Sequence, residues 1–109
     1  MKTLRLHDAA AAEFLAAILW YRERSTEVAR RFRHMVRAAI HSLHEAPSRW
    51  PRAPGVPSSL GVRRYVVDKF PFSVFYMELD AEIVVIAVAH AKRRPGYWAE
   101  RVITQATRL

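Results

Sequence analysis

Hydrophobic positions change their spacing about halfway along the chain. In the first half they recur every three or four residues. After Gly61 they crowd into short runs rich in β-branched and aromatic side chains. Ala11, Phe14, Leu15, Ile18, Leu19 and Tyr21 form one apolar arc, which predicts a helix from an Asp8 N-cap to about Arg24. That arc is wider than one helix–helix seam needs, so the helix is expected to pack on more than one surface. Val28, Phe32, Met35, Val36, Ala39, Ile40 and Leu43 predict a second helix, capped by Ser25 or Thr26 and ended near Ala46 by Pro47. The break between the two is short, which makes them an antiparallel hairpin.

The stretch 47–61 contains four prolines and two glycines and reads as a loop. Three strand-like runs follow, at residues 62–68, 72–79 and 82–90, and a short strand is possible at 3–7. The last two runs are apolar on both alternating faces, as inner strands covered on both sides are. Their short connections imply an antiparallel meander. The expected order is β-α-α-β-β-β, an α+β fold with the helix hairpin packed on a curved, mainly antiparallel sheet. At 109 residues one domain over 1–109 is expected, with a turn of helix at 96–101 and a flexible tail over 102–109.

Charge adds a second layer. The formal net charge is +8, and 15 of the 18 cations are arginine. Such a balance favours acidic partners, and arginine suits bidentate binding of carboxylate or phosphate, although codon bias in a GC-rich genome yields the same ratio. There is no cysteine, which fits a reducing compartment. The longest uncharged apolar stretch, near 83–91, falls well short of the roughly 20 residues of a membrane span. Asp8 and Glu13 interrupt the alanine-rich start, so no secretory signal is expected and the cytoplasm is the expected location.

The candidate chemistry gathers in the segment AVAHAKRRPGYWAER, residues 87–101. A metal-independent ribonuclease needs an acid or base and cations on the phosphate. His90 suits the first role, Arg93 and Arg94 the second, and Tyr97 can stack on a base. The structural alternative has His90 bonded locally, Trp98 covering the sheet edge and the arginines solvated. Arg63 and Arg64 point to opposite faces of their strand, so one of them can share a surface with His90, or both protect an edge. His41 and His44 have an i,i+3 spacing but no third ligand, and no metal site is expected. Trp20 falls beside the apolar arc and reads as a partner surface, unless the 47–61 loop with Trp50 folds over it. No phosphate-binding glycine loop or nucleophile elbow is present, so no cofactor is expected.

Taken together, Trp20–Tyr21, the spaced Ala29 and Phe32, Pro47 and Pro51, Arg63–Tyr65, the run FPFSVFY at 70–76 and the final basic segment resemble the ParE branch of the RelE/ParE toxin superfamily. The resemblance implies a toxin of a type II toxin–antitoxin, or plasmid stabilisation, module. It implies an antitoxin that is acidic, with a DNA-binding N-terminal half, and that wraps a C-terminal segment around the toxin. It further implies inhibition of DNA gyrase without catalysis, through Arg93, Arg94, Trp98, Arg101 and Trp20. Two alternatives stay open from the residues. One is ribosome-dependent mRNA cleavage of RelE type, with His90, Arg63, Arg64 and Tyr97 as its machinery. The other is an inactive toxin that acts only in antitoxin-bound autoregulation. Lysine is confined to Lys2, Lys69 and Lys92, fewer than RelE nucleases carry on their strands, which favours the ParE reading.

Overall fold

The second helix sets the frame. Ser25 is its N-cap, with Oγ accepting from Val28 N at 3.2 Å, and α2 (Thr26–Glu45) then buries Ala29, Phe32, Val36, Ala39 and Leu43 along one stripe. Each large aliphatic or aromatic side chain fully buried this way contributes about 1.5–3 kcal/mol. Phe32 is the centre of an aromatic cluster, with Tyr21 and Phe72 ring centroids each 4.9 Å away and Phe70 at 5.2 Å. The first helix, α1 (Asp8–Arg22), is antiparallel to it across the short turn at 23–25. His7 rather than Asp8 is its N-cap: His7 Nδ1 accepts from Ala9 N, which moves Asp8 into the first turn, where its charge faces the positive helix end.

The computed structural model describes residues 1–107. Four strands complete the fold: β1 (Thr3–Leu6), β2 (Val62–Val66), β3 (Phe72–Glu78) and β4 (Glu82–His90). They form one sheet in the order β1-β4-β3-β2. β2, β3 and β4 are the expected meander, while β1 lies parallel to β4, with Thr3 opposite Glu82 and Leu6 opposite Val85. The predicted α+β architecture is therefore the observed one. α1 and α2 cover one face, where Val74, Tyr76, Ile83, Val85 and Val88 point inward. Val62, Phe75, Met77, Val84 and Ile86 point to the opposite face, and there the 53–60 loop and a third helix cover them. This double cover explains why β4 reads as an unbroken apolar run.

That third helix, α3 (Ala99–Thr107), corrects the expectation of a tail from 102 onward; residues 108 and 109 lie outside the described part of the chain. Val102 is buried against the sheet, and Gln105, one turn on, is buried with Oε1 accepting from Arg5 Nη2. The i,i+3 pair gives the segment a buried stripe, which a tail does not have.

The 47–61 segment also packs differently from one of its two expected courses. Trp50 lies against Tyr65, 4.4 Å between centroids, at the outer edge of β2 and not over Trp20. Pro51 O and Ala53 N bond to Arg64 N and Val62 O, which pairs the outer edge of β2 with the loop's own backbone.

Tyr76 ties this loop to the core. Its fully buried ring projects a hydroxyl that donates to Pro47 O at 2.7 Å. Burial pushes the phenol up to about 12, with Arg63 opposing the shift and Glu78 adding to it. The folded value exceeds the unfolded one, so the protonated form favours folding. That contribution is complete below pH 10 and is lost as the pH climbs toward 12. Denaturation across this range is expected to show a fall in stability above pH 10, shallower in Tyr76→Phe, which at neutral pH loses about 1 kcal/mol with the hydrogen bond. An equally steep fall in Tyr76→Phe would assign the alkaline sensitivity to other groups.

Candidate functional site

β4 ends at His90 and the chain reverses at once. Arg93 N bonds to His90 O, Lys92 N to His90 Nδ1, and Ala91 N to Pro71 O. The His90 ring meets Phe72 edge-on at 5.2 Å, on the sheet face that carries the helices. Pro95 and Gly96 then turn the chain over the opposite face. Gly96 has φ of 78°, and a Cβ there would come within 2.7 Å of Val56 Cγ1, so this crossing requires glycine.

The turn delivers Trp98 onto the sheet. Trp98 is 1% exposed and leans on Phe75, with ring centroids 5.1 Å apart. Its proposed contact with a target is therefore corrected: the indole is core, because it fills the face that α3 and the 53–60 loop enclose.

Tyr97 and Arg101 are also occupied, and the cause lies in the sheet. Phe75 pairs with Ala87 but Tyr76 with Val85, so β4 bulges at Ile86. β1 pairs with β4 only as far as Val85, which leaves the outer edge of β4 without a strand partner beyond it. Glu13 of α1 fills the gap: its Oε1 accepts from Val88 N at 3.1 Å and from Arg101 Nη1 at 2.8 Å, and its Oε2 from Tyr97 OH at 2.6 Å and Arg101 Nη2 at 3.0 Å. Arg101 Nη1 also donates to Ile86 O at 3.0 Å. Burial is the largest cause of a strongly raised Tyr97 pKa, and the Glu13 hydrogen bond adds to it. The same carboxylate is the largest cause of the raised Arg101 value. Sequence reading took Glu13 only as an interruption of an apolar stretch. The signal was there: an acid between Ala10 and Ala17 on the inward side of a helix demands partners.

A hollow of about 140 Å³ opens beside the turn, lined among others by Arg64, Ser73, Arg93, Arg94 and the His90 strand end. Arg64 is directly opposite Phe75 and shares its face. Arg63 faces the other way and donates to Trp50 O at 2.5 Å. From the pairing register, Arg63 lies about 13 Å along the strands and about 10 Å across them from His90. Arg64 has its side chain on the face opposite the His90 ring. The acid–base group and the strand arginines are thus held apart. Arg93 and Arg94 are exposed at the rim, with the Arg93 guanidinium 3.9 Å from the Tyr97 ring centroid. This arrangement can hold an anion.

On the helix face a second, apolar groove of about 440 Å³ runs between α1 and the start of β3, past Ala16, Trp20, Phe72 and His90. Trp20 is 52% exposed, and Leu15 and Leu19 beside it are open too. Of the predicted arc of α1, Phe14, Ile18 and Tyr21 face inward, joined there by Ala10 and Ala17. Arg24 covers the Trp20 ring at 3.5 Å. On α2, His41 pairs with Glu45 and His44 Nε2 contacts Lys2 O, so the two histidines turn to different partners.

Comparison with known proteins converges on one family. The sequence profile of the ParE toxin of type II toxin–antitoxin system, parDE, matches residues 4–95. A chain of the solved structure "Chromosomal ParDE TA system from P. aeruginosa" has the same fold, with a TM-score of 0.71 and 23% identity, over 83% of this chain and 96% of that one. No curated protein matches the sequence.

Proposed function

The chain belongs to the ParE toxin family of type II toxin–antitoxin systems, and on that premise we propose that it arrests growth by binding DNA gyrase in the cytoplasm and is neutralised by an acidic antitoxin. The observation that carries this reading is the separation of His90 from Arg63 and Arg64. A phosphodiesterase needs its acid, base and cations around one reacting phosphate. Here Arg93 and Arg94 stand beside His90, but Arg64 points to the other face, Arg63 lies too far along the sheet and the Tyr97 hydroxyl is bound to Glu13. What remains exposed is a binding surface: the Arg93–Arg94 rim for the target, and the groove beside Trp20 for an apolar partner segment. An antitoxin segment that is disordered and acidic when free would gain both burial and charge complementarity on this surface. Its DNA-binding half would then bring the toxin into autoregulation.

The test is a supercoiling assay with gyrase, ATP and plasmid DNA. Purified toxin is expected to abolish supercoiling in a dose-dependent way. His90→Ala is expected to keep this activity within about threefold, because that side chain acts on no reacting atom. Replacing Arg93 and Arg94 together by glutamine is expected to weaken inhibition about tenfold or more. Loss of growth inhibition in folded His90→Ala, or mRNA cut within codons soon after induction, would overturn the binding mechanism in favour of a nuclease.

A further inference from the structure

The hollow beside the 90–97 turn contains a cation with no partner. Lys2, Arg5, Arg30 and Arg101 each have a carboxylate within 3.1 Å. Arg64 has none among the described residues, and its buried Nε has no acceptor. Its strand neighbours restrict it: Phe75 flanks it on the same face, and the loop backbone is bonded to its own amide. No acid lines the hollow, whereas Arg93 and Arg94 stand at its rim and Ser73 adds a hydroxyl. A half-buried guanidinium gives up hydration without gaining a bond, and a bound oxyanion restores what was lost.

Size and surroundings select the anion. About 140 Å³, walled by Pro54, Phe75 and Pro95, takes a carboxylate with its short methylene stem. A phosphodiester with sugars on both sides requires an open track instead. The hollow and the apolar groove beside Trp20 lie on opposite faces of the sheet at one strand end, with His90 lining both. One extended polypeptide can therefore lay apolar side chains along Trp20 and Phe72, pass the strand end, and reach Arg64 with its next acidic residue.

We infer that this hollow is the socket for a carboxylate side chain of the antitoxin's acidic segment, with Arg64 as its bidentate partner and Arg93 and Arg94 closing over it. The inference rests on the antitoxin reading above and adds the recognition element. It also gives neutralisation a physical form, because the segment that fills the socket covers the rim cations assigned to the target.

Two measurements test it. In the complex co-expressed with its antitoxin, Arg64→Gln is expected to weaken association roughly tenfold to a hundredfold and to flatten its salt dependence. Arg64→Lys, with the charge but not the fork, is expected to fall between, and Arg31→Gln on the exposed face of α2 to change nothing. In the isolated toxin, acetate is expected to shift the Arg64 Nε–Hε resonance saturably, which needs no variant to fold. Wild-type affinity in Arg64→Gln, with a resonance indifferent to acetate, overturns the socket and leaves the antitoxin reading intact. Failure of the wild-type toxin to form any complex overturns both. Saturation by a single-stranded oligonucleotide but not by acetate assigns the hollow to nucleic acid and overturns the socket as well.

Discussion

Trp98→Ala is expected to lower folding stability by about 3–5 kcal/mol, the range for deleting a large buried aromatic side chain. The indole is 1% exposed and joins Phe75, Val84, Ile86 and Val102 into the core of the sheet face away from the helix hairpin. Removing it leaves a cavity that α3 and the 53–60 loop can close only by abandoning their other contacts. Trp98→Phe, which keeps an aromatic ring on Phe75, is expected to lose about 1–2 kcal/mol. Urea denaturation reads both. Toxicity separates this role from target contact: on the gyrase-binding proposal above, a fully folded Trp98→Phe should inhibit like the wild type. A stable Trp98→Ala that no longer inhibits would return the side chain to the binding surface.

Glu13→Ala is the second large effect, expected at about 3 kcal/mol. The value is the low end of the range for stripping one partner from a buried ion pair, because Glu13 and Arg101 keep 18% and 19% of their side-chain surface. The loss takes the carboxylate from four donors at once, Val88 N, Tyr97 OH and both Arg101 Nη atoms, of which Arg101 Nη1 keeps Ile86 O as an acceptor. Glu13→Gln retains the shape and an acceptor oxygen but not the charge, and is expected to lose about half as much. Arg101→Met should be milder in the Glu13→Ala background than alone, since no carboxylate is then left unpaired. Additive effects in that double-mutant cycle would show that the two side chains do not act as one unit.

These two residues also mark where sequence reading succeeds and where it stops. Val28, Phe32, Val36, Ala39 and Leu43 announce α2 because one periodicity dominates the segment. The runs at 72–79 and 82–90 announce inner strands because both faces are apolar. Trp98 carries two readings, a cover for the sheet edge and a target contact, and spacing alone does not say that Gly96 folds the chain back over the sheet and so decides for the first. α3 reads as no more than a turn at 96–101 because, among its described side chains, the buried stripe is Val102 and Gln105, too short for periodicity to register. Arg101 and Tyr97 were assigned outward roles because their partner, Glu13, is 88 and 84 positions away. One of Arg63 and Arg64 is expected to share a surface with His90, and only the register shows that Arg64 leaves on the face opposite the His90 ring.

The parallel pairing of β1 with β4 has a consequence for how the molecule is made. β1 is synthesised long before its partner: Arg5 and its ion-pair partner Glu82 stand 77 positions apart. During synthesis, at about 5–20 residues per second, α1 and α2 can pair within a growing chain, but the N-terminal strand must wait. Closing so long a span is an entropic burden met only when β4 is available as a template. Glu13 likewise cannot meet Arg101 before the segment that follows β4 emerges. The nascent toxin is therefore an incomplete sheet until β4 has emerged, and its maturation is timed by the stretch of message between the two strands.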